Sequence, residues 1–393
     1  MTNTTKRVLI SGAGLAGPAM AHWLLRDGHD VTVVERAPAI RDGGQAVDFR
    51  GEAHMTMLER MGILDEVRRR RTEGGPLVII DAEGTEQLRL PASFTGGAVE
   101  IARGDLSHLL HDLTKDRAEY LFGDSVAAMS ETAGGVDVAF DSGARRGFDL
   151  VIGADGLHSN VRGLTFGAES RFLKRSGYHA ALFDAPNHLG LSGRSLMYSE
   201  PGRGCLVYPA ERDQDTLTVM CVFAADAVDY HRRDVAAQKR LLAEAYAGAG
   251  WELPTLLSHL DDTGAFYFDA IGQIHMDRYT SGRVALIGDA GYGATMGGMG
   301  AGMSLIASYV LAGELAAAGG DHTVAFPRYE EQIRGYAKAC QRVADGAGGF
   351  FAPRNVRRRN RVYKILSSGL LVGLLDRMTT KAANSIRLKD YAV

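Results

Sequence analysis

The first 36 residues alternate between short apolar runs and a stretch with helical spacing. Val8 to Ser11 form a run typical of a buried strand, and Val31 to Glu35 form a second one. Between them, Ala16 to Gly28 carries apolar residues at intervals of three and four, which predicts a helix. The front of the chain is therefore predicted to be a strand–helix–strand unit.

The same patterns divide the rest of the chain into further blocks. Short alternating segments dominate residues 166–277, which predicts a second domain built on a mostly antiparallel sheet. Residues 278–328 return to a buried strand and a long small-residue helix, so we assign them, together with residues 1–165, to one domain. Residues 329–393 are predicted to be helical and to bridge the two domains. The predicted class is α/β, with a Rossmann-like domain that contains an inserted sheet domain.

An apolar stripe runs through the C-terminal segment. Its residues follow helical spacing and include Ile365, Leu370, Leu374 and Met378. Such a helix can lie on a membrane surface or pack across two domains. Packing across the domains is favoured because the polar face mixes acidic and basic residues instead of being uniformly basic.

Composition narrows the class of protein. Of 393 residues, 46% are hydrophobic and 23% charged, with a net charge of −3, which indicates a globular protein with no reason to bind nucleic acid. Two basic runs, residues 68–71 and 354–361, depart from this average, and we interpret both as solvated helix faces. We expect a monomer or a homodimer.

Cysteines and targeting patterns bear on the compartment. The three cysteines lie far apart, so neither a disulfide framework nor a metal site is predicted. The N-terminal residues lack a basic-then-apolar signal segment, and no stretch reaches roughly 18 apolar residues. We therefore expect a cytoplasmic protein without a membrane span.

The strand–helix–strand unit contains a glycine fingerprint. Gly12, Gly14 and Gly17 follow the first strand with G-x-G-x-x-G spacing and open the helix. Gly12 permits a tight turn, Gly14 lets the backbone approach a pyrophosphate, and Gly17 allows close helix packing. Glu35 ends the second strand, where it can accept hydrogen bonds from an adenosine ribose. The unit predicts a site for either NAD or FAD.

Two later motifs bear on the choice of cofactor. Asp155-Gly156 follows Gly153 at the end of one strand, and Gly288-Asp289 ends another before a glycine-rich helix start. With the N-terminal glycines, and in this order, they make the chain resemble the flavoprotein monooxygenases of the p-hydroxybenzoate hydroxylase group. This group includes polyketide hydroxylases and tetracycline-inactivating monooxygenases, and the resemblance covers nearly the whole chain.

The resemblance implies an FAD-dependent monooxygenase. NADPH or NADH would reduce the flavin, O2 would add to it as a flavin hydroperoxide, and one oxygen atom would pass to an aromatic or polycyclic small molecule. Cofactor contacts are implied at positions along the adenosine, the pyrophosphate, the ribityl chain and the flavin ring. These positions are Gly12, Gly14, Leu15, Ala16, Gly17, Glu35, Arg36, Asp48, Arg103, Leu106, Asp155, Asp289, Gly300, Ala301, Gly302 and Met303.

The resemblance also places the inserted sheet above the flavin, where its apolar and aromatic side chains would line a substrate pocket. Ordinary sheet core explains each of the strand residues about equally well. The candidates are Tyr198, Tyr208, Met220, Phe223, Phe268 and Met296.

Two further questions concern individual side chains. His179, His275 and Tyr292 are candidate bases for deprotonating a phenol, with His179 and Tyr292 preferred. Met296 stands where many members of the family carry a proline, which leaves the shape of the loop beside the flavin open.

Other functions remain open at this stage. A reductase or dehydrogenase on the same fold would reduce its substrate without inserting oxygen. A halogenase is disfavoured because its W-x-W-x-I-P motif is absent and Trp23 and Trp251 stand alone. A non-catalytic dinucleotide or lipid carrier would hold the ligand without turnover.

Overall fold

The computed structural model describes residues 5–391 except 73, 211, 212, 227, 229 and 369. It has the mixed α/β class that the sequence predicts. The strands are β1 (Arg7–Ser11), β2 (Asp30–Glu35), β3 (Val47–Phe49), β4 (Leu77–Ile80), β5 (Glu86–Leu90), β6 (Val99–Ile101), β7 (Glu119–Phe122), β8 (Val126–Glu131), β9 (Val136–Phe140), β10 (Arg145–Phe148), β11 (Leu150–Gly153), β12 (Leu173–Pro186), β13 (Ser195–Glu200), β14 (Arg203–Pro209), β15 (Thr216–Ala224), β16 (Phe266–Ile274), β17 (Thr280–Ser281) and β18 (Val284–Leu286).

Helices connect and cover these strands. They are α1 (Ala16–Arg26), α2 (Gly51–Arg60), α3 (Leu64–Arg69), α4 (Ala92–Thr95), α5 (Arg103–Asp112), α6 (Asn160–Phe166), α7 (Val235–Ala245), α8 (Leu253–Leu257), α9 (Asp289–Tyr292), α10 (Gly300–Ala317), α11 (His322–Ala344), α12 (Ala347–Phe351), α13 (Val356–Ser367) and α14 (Leu370–Ala383).

A six-stranded sheet in the order β17-β18-β11-β1-β2-β7 forms the core of the first domain. All its pairings are parallel except that of β17 with β18. Val8, Leu9 and Ile10 of β1 are fully buried, as expected for a central strand covered on both faces. Helices α1 and α10 pack against each other beside this sheet.

A seven-stranded sheet in the order β16-β12-β15-β14-β13-β4-β5 forms the second layer. Its pairings are antiparallel except that of β13 with β4. Strands β4 and β5 come from the segment that the sequence assigns to the first domain, so the sheet is not made by residues 166–277 alone. A hairpin is recognisable from local alternation, but its partner sheet depends on long-range pairing.

The two faces of this sheet pack against different elements. On the outer face, Val219 and Cys221 of β15 pack against Leu242 of α7 and Leu256 of α8. On the inner face, Val222 belongs to a cluster that also contains Phe351 of α12 and Met296. Because side chains alternate along a strand, Met220 belongs to the inner face with Val222. The inner face is the one turned toward the first domain.

Helix α10 is long and apolar enough to cross a membrane by length and composition alone. This differs from the expectation that no stretch of the chain would pass such a test. However, 83% of its apolar window is buried inside the protein, where it contacts α1, α2 and α11. The helix is therefore weak evidence for a membrane span, since the core helix of a globular domain looks the same.

A buried histidine fixes the start of α10. His54 of α2 accepts a hydrogen bond from the Arg50 backbone N–H at 3.1 Å, and its Nε2 lies 2.7 Å from the Tyr336 hydroxyl. A Cβ at Gly302 would lie 2.2 Å from the His54 ring, so only glycine fits there. Burial lowers the pKa of His54 to about 4.

We predict that His54 makes the protein acid-sensitive. An unfolded histidine takes up a proton below about pH 6.5, whereas folded His54 stays neutral until about pH 4, so the unfolded state binds more protons in this window. Stability should therefore fall by roughly 3 kcal/mol as the pH drops from 6.5 to 4. Denaturant unfolding across this range should show a shallower loss in His54→Gln. His231→Gln, at an exposed position, is the control, and a His54→Gln profile parallel to that of the wild type would contradict the assignment.

Candidate active site

The glycine loop after β1 is shaped by close backbone contacts. Gly12 has a φ of +105°, and a Cβ there would lie 2.5 Å from the Ala154 carbonyl oxygen. A Cβ at Gly17 would lie 1.9 Å from the Gly12 carbonyl oxygen. Both contacts involve backbone, which cannot move aside as a side chain can. The fold itself therefore requires glycine at these two positions.

Gly14 is different. A Cβ at this position would meet no heavy atom closer than the Arg103 Nη2, at 3.8 Å. Packing of the described residues therefore does not require glycine at position 14. The open space in front of it, at the start of α1, fits the close approach of a pyrophosphate to backbone N–H groups.

Glu35 connects the loop to the end of β2. Its two carboxylate oxygens accept hydrogen bonds from the Ala13 and Ala37 backbone N–H groups, each at 2.8 Å. The carboxylate is half-buried, while the neighbouring Arg36 is exposed. Each oxygen keeps a free lone pair, so Glu35 can still accept hydrogen bonds from a ribose.

The charges of Arg103 and Asp289 interact across the space between Gly14 and Gly300, which we call the cleft. Asp289 is exposed to this cleft, yet desolvation by the surrounding protein raises the pKa of its carboxyl. Arg103 is the charge that opposes this shift, and burial lowers the pKa of its own guanidinium. Within the described part of the chain, neither side chain donates or accepts a hydrogen bond. Two uncompensated polar groups facing one cleft fit a ligand that carries phosphates and hydroxyls.

Tyr267 is a member of this site that the sequence analysis missed. It lies on β16, is 45% exposed, and interacts electrostatically with both Arg103 and Asp289. Desolvation by the surrounding protein raises its pKa above the usual range, although the ring is partly exposed. The sequence shows only a tyrosine between two phenylalanines, and the fold is needed to bring it within electrostatic reach of Asp289.

Asp48 lies on the other side of the cleft. Its Oδ1 is 3.2 Å from the position of a Cβ on Gly298, in the glycine-rich loop before α10. Burial raises the pKa of Asp48 to about 6, and the adjacent Arg50 opposes the shift through an ion pair. Arg50 also contacts Thr379 of α14, at 3.5 Å. The predicted residue Asp48 is thus beside the loop, held by an arginine that the sequence analysis did not single out.

The start of α10 combines cleft and core residues. Gly300 faces Asp289, since a Cβ there would lie 3.9 Å from the Asp289 Oδ1. Ala301 and Met303 are buried in the core, as are Ala16 and Leu106, and Leu15 packs against it half-buried. For Leu106 and Met303, both predicted as cofactor residues, core packing accounts for the apolar side chain.

The Asp155-Gly156 turn is held by internal bonds. Asp155 accepts hydrogen bonds from the Ser159 hydroxyl and, at 3.1 Å, from the Val161 backbone N–H. Arg162 is fully buried and donates to the Ala290 carbonyl at 2.9 Å and the Leu157 carbonyl at 2.7 Å. These bonds attach α6 to α9, next to Asp289. Contact of Asp155 with a cofactor stays a prediction.

Beside this turn, His158 bridges the two sheets. Its Nε2 lies 2.6 Å from the Asp269 carboxylate of β16, and its Nδ1 lies 2.9 Å from the Glu169 carboxylate. The two carboxylates outweigh desolvation and raise the pKa of His158. His158 and Arg232 line both a cavity of about 160 Å³ and an open one of about 530 Å³. This cluster also escaped the sequence analysis, because His158 and Asp269 are 111 residues apart and no local spacing connects them.

Three predicted substrate residues are placed elsewhere. Tyr198, Phe223 and Phe268 pack in the outer core of the seven-stranded sheet with Leu242 and Tyr246. Sheet packing explains them, so their assignment to the substrate pocket is corrected. Strand alternation is visible in the sequence, but which face meets the cofactor is not.

The remaining substrate candidates lie on the inner side. Met220 is the cross-strand partner of Leu182, which in turn pairs with Tyr267. Tyr208 is half-buried on the same face of β14 as Leu206, which pairs with Met220. Met296 has a φ of +64°, a conformation closed to proline, so the loop differs locally from one that carries proline.

The candidate bases are not in the cleft. His179 is buried and stacks on Phe223 and Phe268 in the outer core, and burial lowers its pKa. Tyr292 is fully buried, with its hydroxyl 2.9 Å from that of Tyr329. Both assignments are corrected, since neither side chain is open to a substrate. His275 is exposed at the end of β16.

Comparison with known proteins agrees with this geometry. The family model described as FAD binding domain matches residues 5–344. A flavin-dependent monooxygenase of Legionella longbeachae is 35% identical over 86% of this chain and 87% of the relative. The chain belongs to the FAD-dependent monooxygenases. The resemblance to the flavoprotein monooxygenases of the p-hydroxybenzoate hydroxylase group is thereby confirmed.

This monooxygenase is also similar to an uncharacterised bacterial protein and to a solved structure. The uncharacterised protein Rv1260 of Mycobacterium tuberculosis is 42% identical over 86% of this chain and 92% of the relative. Among solved structures, the tetracycline destructase Tet(51) superposes with a TM-score of 0.86 at 31% identity, covering 98% of this chain and 99% of that one. The fold is therefore shared from end to end with a flavoenzyme.

We predict that Gly14→Val removes the cofactor without unfolding the monooxygenase. The new side chain would fill the open space before α1 and block the pyrophosphate, while no backbone contact opposes it. Purified Gly14→Val should carry under a tenth of the wild-type flavin absorbance and show an unchanged circular dichroism spectrum. Gly335→Val, at an open helical position, should keep its flavin. A fully loaded Gly14→Val protein would show that the pyrophosphate lies elsewhere.

We predict that Asp289→Ala weakens FAD binding without lowering the stability of the cofactor-free protein. Removing a carboxylate whose burial raises its pKa should not lower the melting temperature of the cofactor-free protein. The same change should weaken FAD binding by roughly tenfold to a hundredfold, because hydrogen bonds to a charged acceptor are lost. Titration of cofactor-free protein with FAD measures this, with Asp277→Ala as a surface control. Equal affinities in the three proteins would refute the role of Asp289.

Proposed function

We propose that this protein is an NAD(P)H-consuming, FAD-dependent monooxygenase that hydroxylates an aromatic or polycyclic small molecule. The observation that carries the proposal is the position of Tyr267. Its pairing with Leu182 puts it on the inner face of the seven-stranded sheet, and it interacts electrostatically with Arg103 and Asp289 of the cleft. A substrate under this sheet would therefore lie next to the cofactor.

The residues of the cleft fit FAD. Gly14 leaves space for a pyrophosphate, Arg103 supplies a positive charge whose guanidinium forms no hydrogen bond within the described residues, and Asp289 offers a carboxylate for ribityl hydroxyls. The N-terminus of α10, at Gly300, would stabilise negative charge on a reduced flavin. Bound FAD would supply reduction by NAD(P)H and transfer of one oxygen atom from O2.

The inner face suggests the size of the substrate. Tyr267, Leu182 and Met220 are direct cross-strand neighbours on three adjacent strands, which span about 10 Å. The next row contains Asp184, whose carboxylate accepts a hydrogen bond from Thr218 at 3.3 Å. An apolar row with polar groups at its edge suits a planar molecule of several rings that carries oxygen substituents.

The relatives supply a first substrate class. Because a tetracycline destructase is similar over the whole chain, tetracyclic polyketides and related phenols are the first compounds to test. The protein's role in this view is to bind the substrate against the cofactor and exclude water, so that reducing equivalents are not lost to peroxide. We further propose that it acts in the cytoplasm, as a monomer or homodimer.

The deciding experiment is NADH and NADPH oxidation in air, with and without a panel of phenols, naphthoquinols and tetracyclic polyketides. We expect one class to accelerate oxidation and to gain the mass of one oxygen atom, as measured by mass spectrometry. The flavin-free Gly14→Val protein is the control for contaminating activity. Reduced products without added oxygen would favour a reductase on the same fold. Cofactor that no donor reduces would favour a carrier.

A further inference from the structure

The two basic runs of the chain differ in their partners. Arg68, Arg69 and Arg70 all form ion pairs with Asp65 or Glu66 of their own helix. In the second run Arg354 pairs with Asp226, whereas farther along, in α13, Arg357, Arg361 and Lys364 are exposed and form no ion pair within the described residues. Three arginines of the first run are therefore paired on their own helix, and the run is a helix face, as the sequence analysis predicts. The second run is a source of uncompensated positive charge.

The exposed face of α13 carries both cationic and apolar side chains. Arg357, Arg361, Lys364 and Ile365 follow helical spacing along its outer face, and Ile365 is 43% exposed. The opposite side of the helix is fixed to the seven-stranded sheet, because the Tyr363 hydroxyl lies 2.7 Å from that of Ser199. The cations and the apolar side chain thus share the face that points away from the protein.

Helix α14 repeats this arrangement. Leu374 and Met378 are 51% and 55% exposed, and Arg377 and Lys381 lie beside them at helical spacing. Of the eight large apolar side chains that the described structure exposes, four lie within α13 and α14. The acid of α14, Asp376, lies 4.0 Å from Arg50 and so faces a cation of the first domain. An exposed patch that alternates apolar and cationic groups is concentrated on these two helices.

We propose that this patch, formed by α13 and α14, binds the surface of an anionic lipid bilayer. Exposed leucine, isoleucine and methionine side chains can enter the headgroup boundary while arginine and lysine contact lipid phosphates. The charge is complementary to such a surface although the whole chain has a net charge of −3. This binding is independent of the proposed reaction, since it requires no residue of the cofactor cleft.

Other occupants fit the patch less well. A nucleic acid would use the cations but leave Leu374 and Met378 in water. A second copy related by a two-fold axis would place the same patch against itself, so that cations would face cations. A bilayer satisfies both the charge and the apolar side chains in one contact.

Co-sedimentation of the flavin-loaded protein with lipid vesicles tests the proposal. We expect binding to phosphatidylcholine vesicles that contain phosphatidylglycerol, and little binding to phosphatidylcholine alone. Raising the salt from about 0.1 M should weaken binding, because the surface charges become screened. Equal binding to neutral and anionic vesicles, or no binding to either, would overturn the proposal.

Matched triple variants locate the contact. Arg357→Gln with Arg361→Gln and Lys364→Gln should lower the partition coefficient by about a hundredfold. Arg68→Gln with Arg69→Gln and Arg70→Gln removes the same formal charge from arginines that are paired on their own helix and should change the partition coefficient little. An equal loss of vesicle binding in both variants would show that binding depends only on net charge, and would overturn the assignment. Flavin content and melting temperature verify that each variant is folded.

The apolar contribution needs a separate variant. Leu374→Ser with Met378→Ser should reduce the part of vesicle binding that survives high salt, while NAD(P)H oxidation in solution stays unchanged. Size-exclusion chromatography of the same variant tests the alternative occupant. A wild-type dimer that this variant converts to a monomer, without an effect on vesicle binding, would assign the patch to self-association and refute the proposal.

Discussion

The rest of the site depends on one constraint, the close backbone packing of β1, its glycine loop and α1. A Cβ at Gly17 would overlap the Gly12 carbonyl, and one at Gly12 would overlap that of Ala154. These backbone contacts bring the N-terminus of α1 and the turn after β11 to the same edge of the sheet. The residues later in the chain that we propose to hold the cofactor, including Asp289 after β18, are positioned relative to that edge.

Strand β16 joins this edge to the second layer. The Ile274 backbone N–H donates to the Gly293 carbonyl at 2.9 Å, in the loop that follows Asp289. Farther along the same strand, Asp269 meets His158 and Tyr267 enters the cleft. One strand therefore connects the cofactor edge, the Asp155-Gly156 turn and the inner face of the large sheet. A substitution that shifted the register of β16 would disturb all three together.

Buried polar groups hold the first domain against the C-terminal helices. Arg50 links Asp48, beside the cofactor loop, to Thr379 and Asp376 of α14. His54, on the same segment, reaches Tyr336 of α11 and supports the start of α10 through Gly302. Such groups are costly to leave unpaired, so the position of α14 and the shape of the cleft are coupled.

By itself, the sequence determined the α/β class, the glycine loop, the family and the chain order of its motifs, because these depend on local spacing and on glycine's freedom at close contacts. It did not determine that β4 and β5 join the large sheet, that Phe223 and Phe268 face away from the cleft, or that Tyr292 is buried. Nor did it bring together Arg103, Tyr267 and Asp289. Only tertiary structure decided these, because strand alternation marks two faces without saying which one a neighbouring domain will cover.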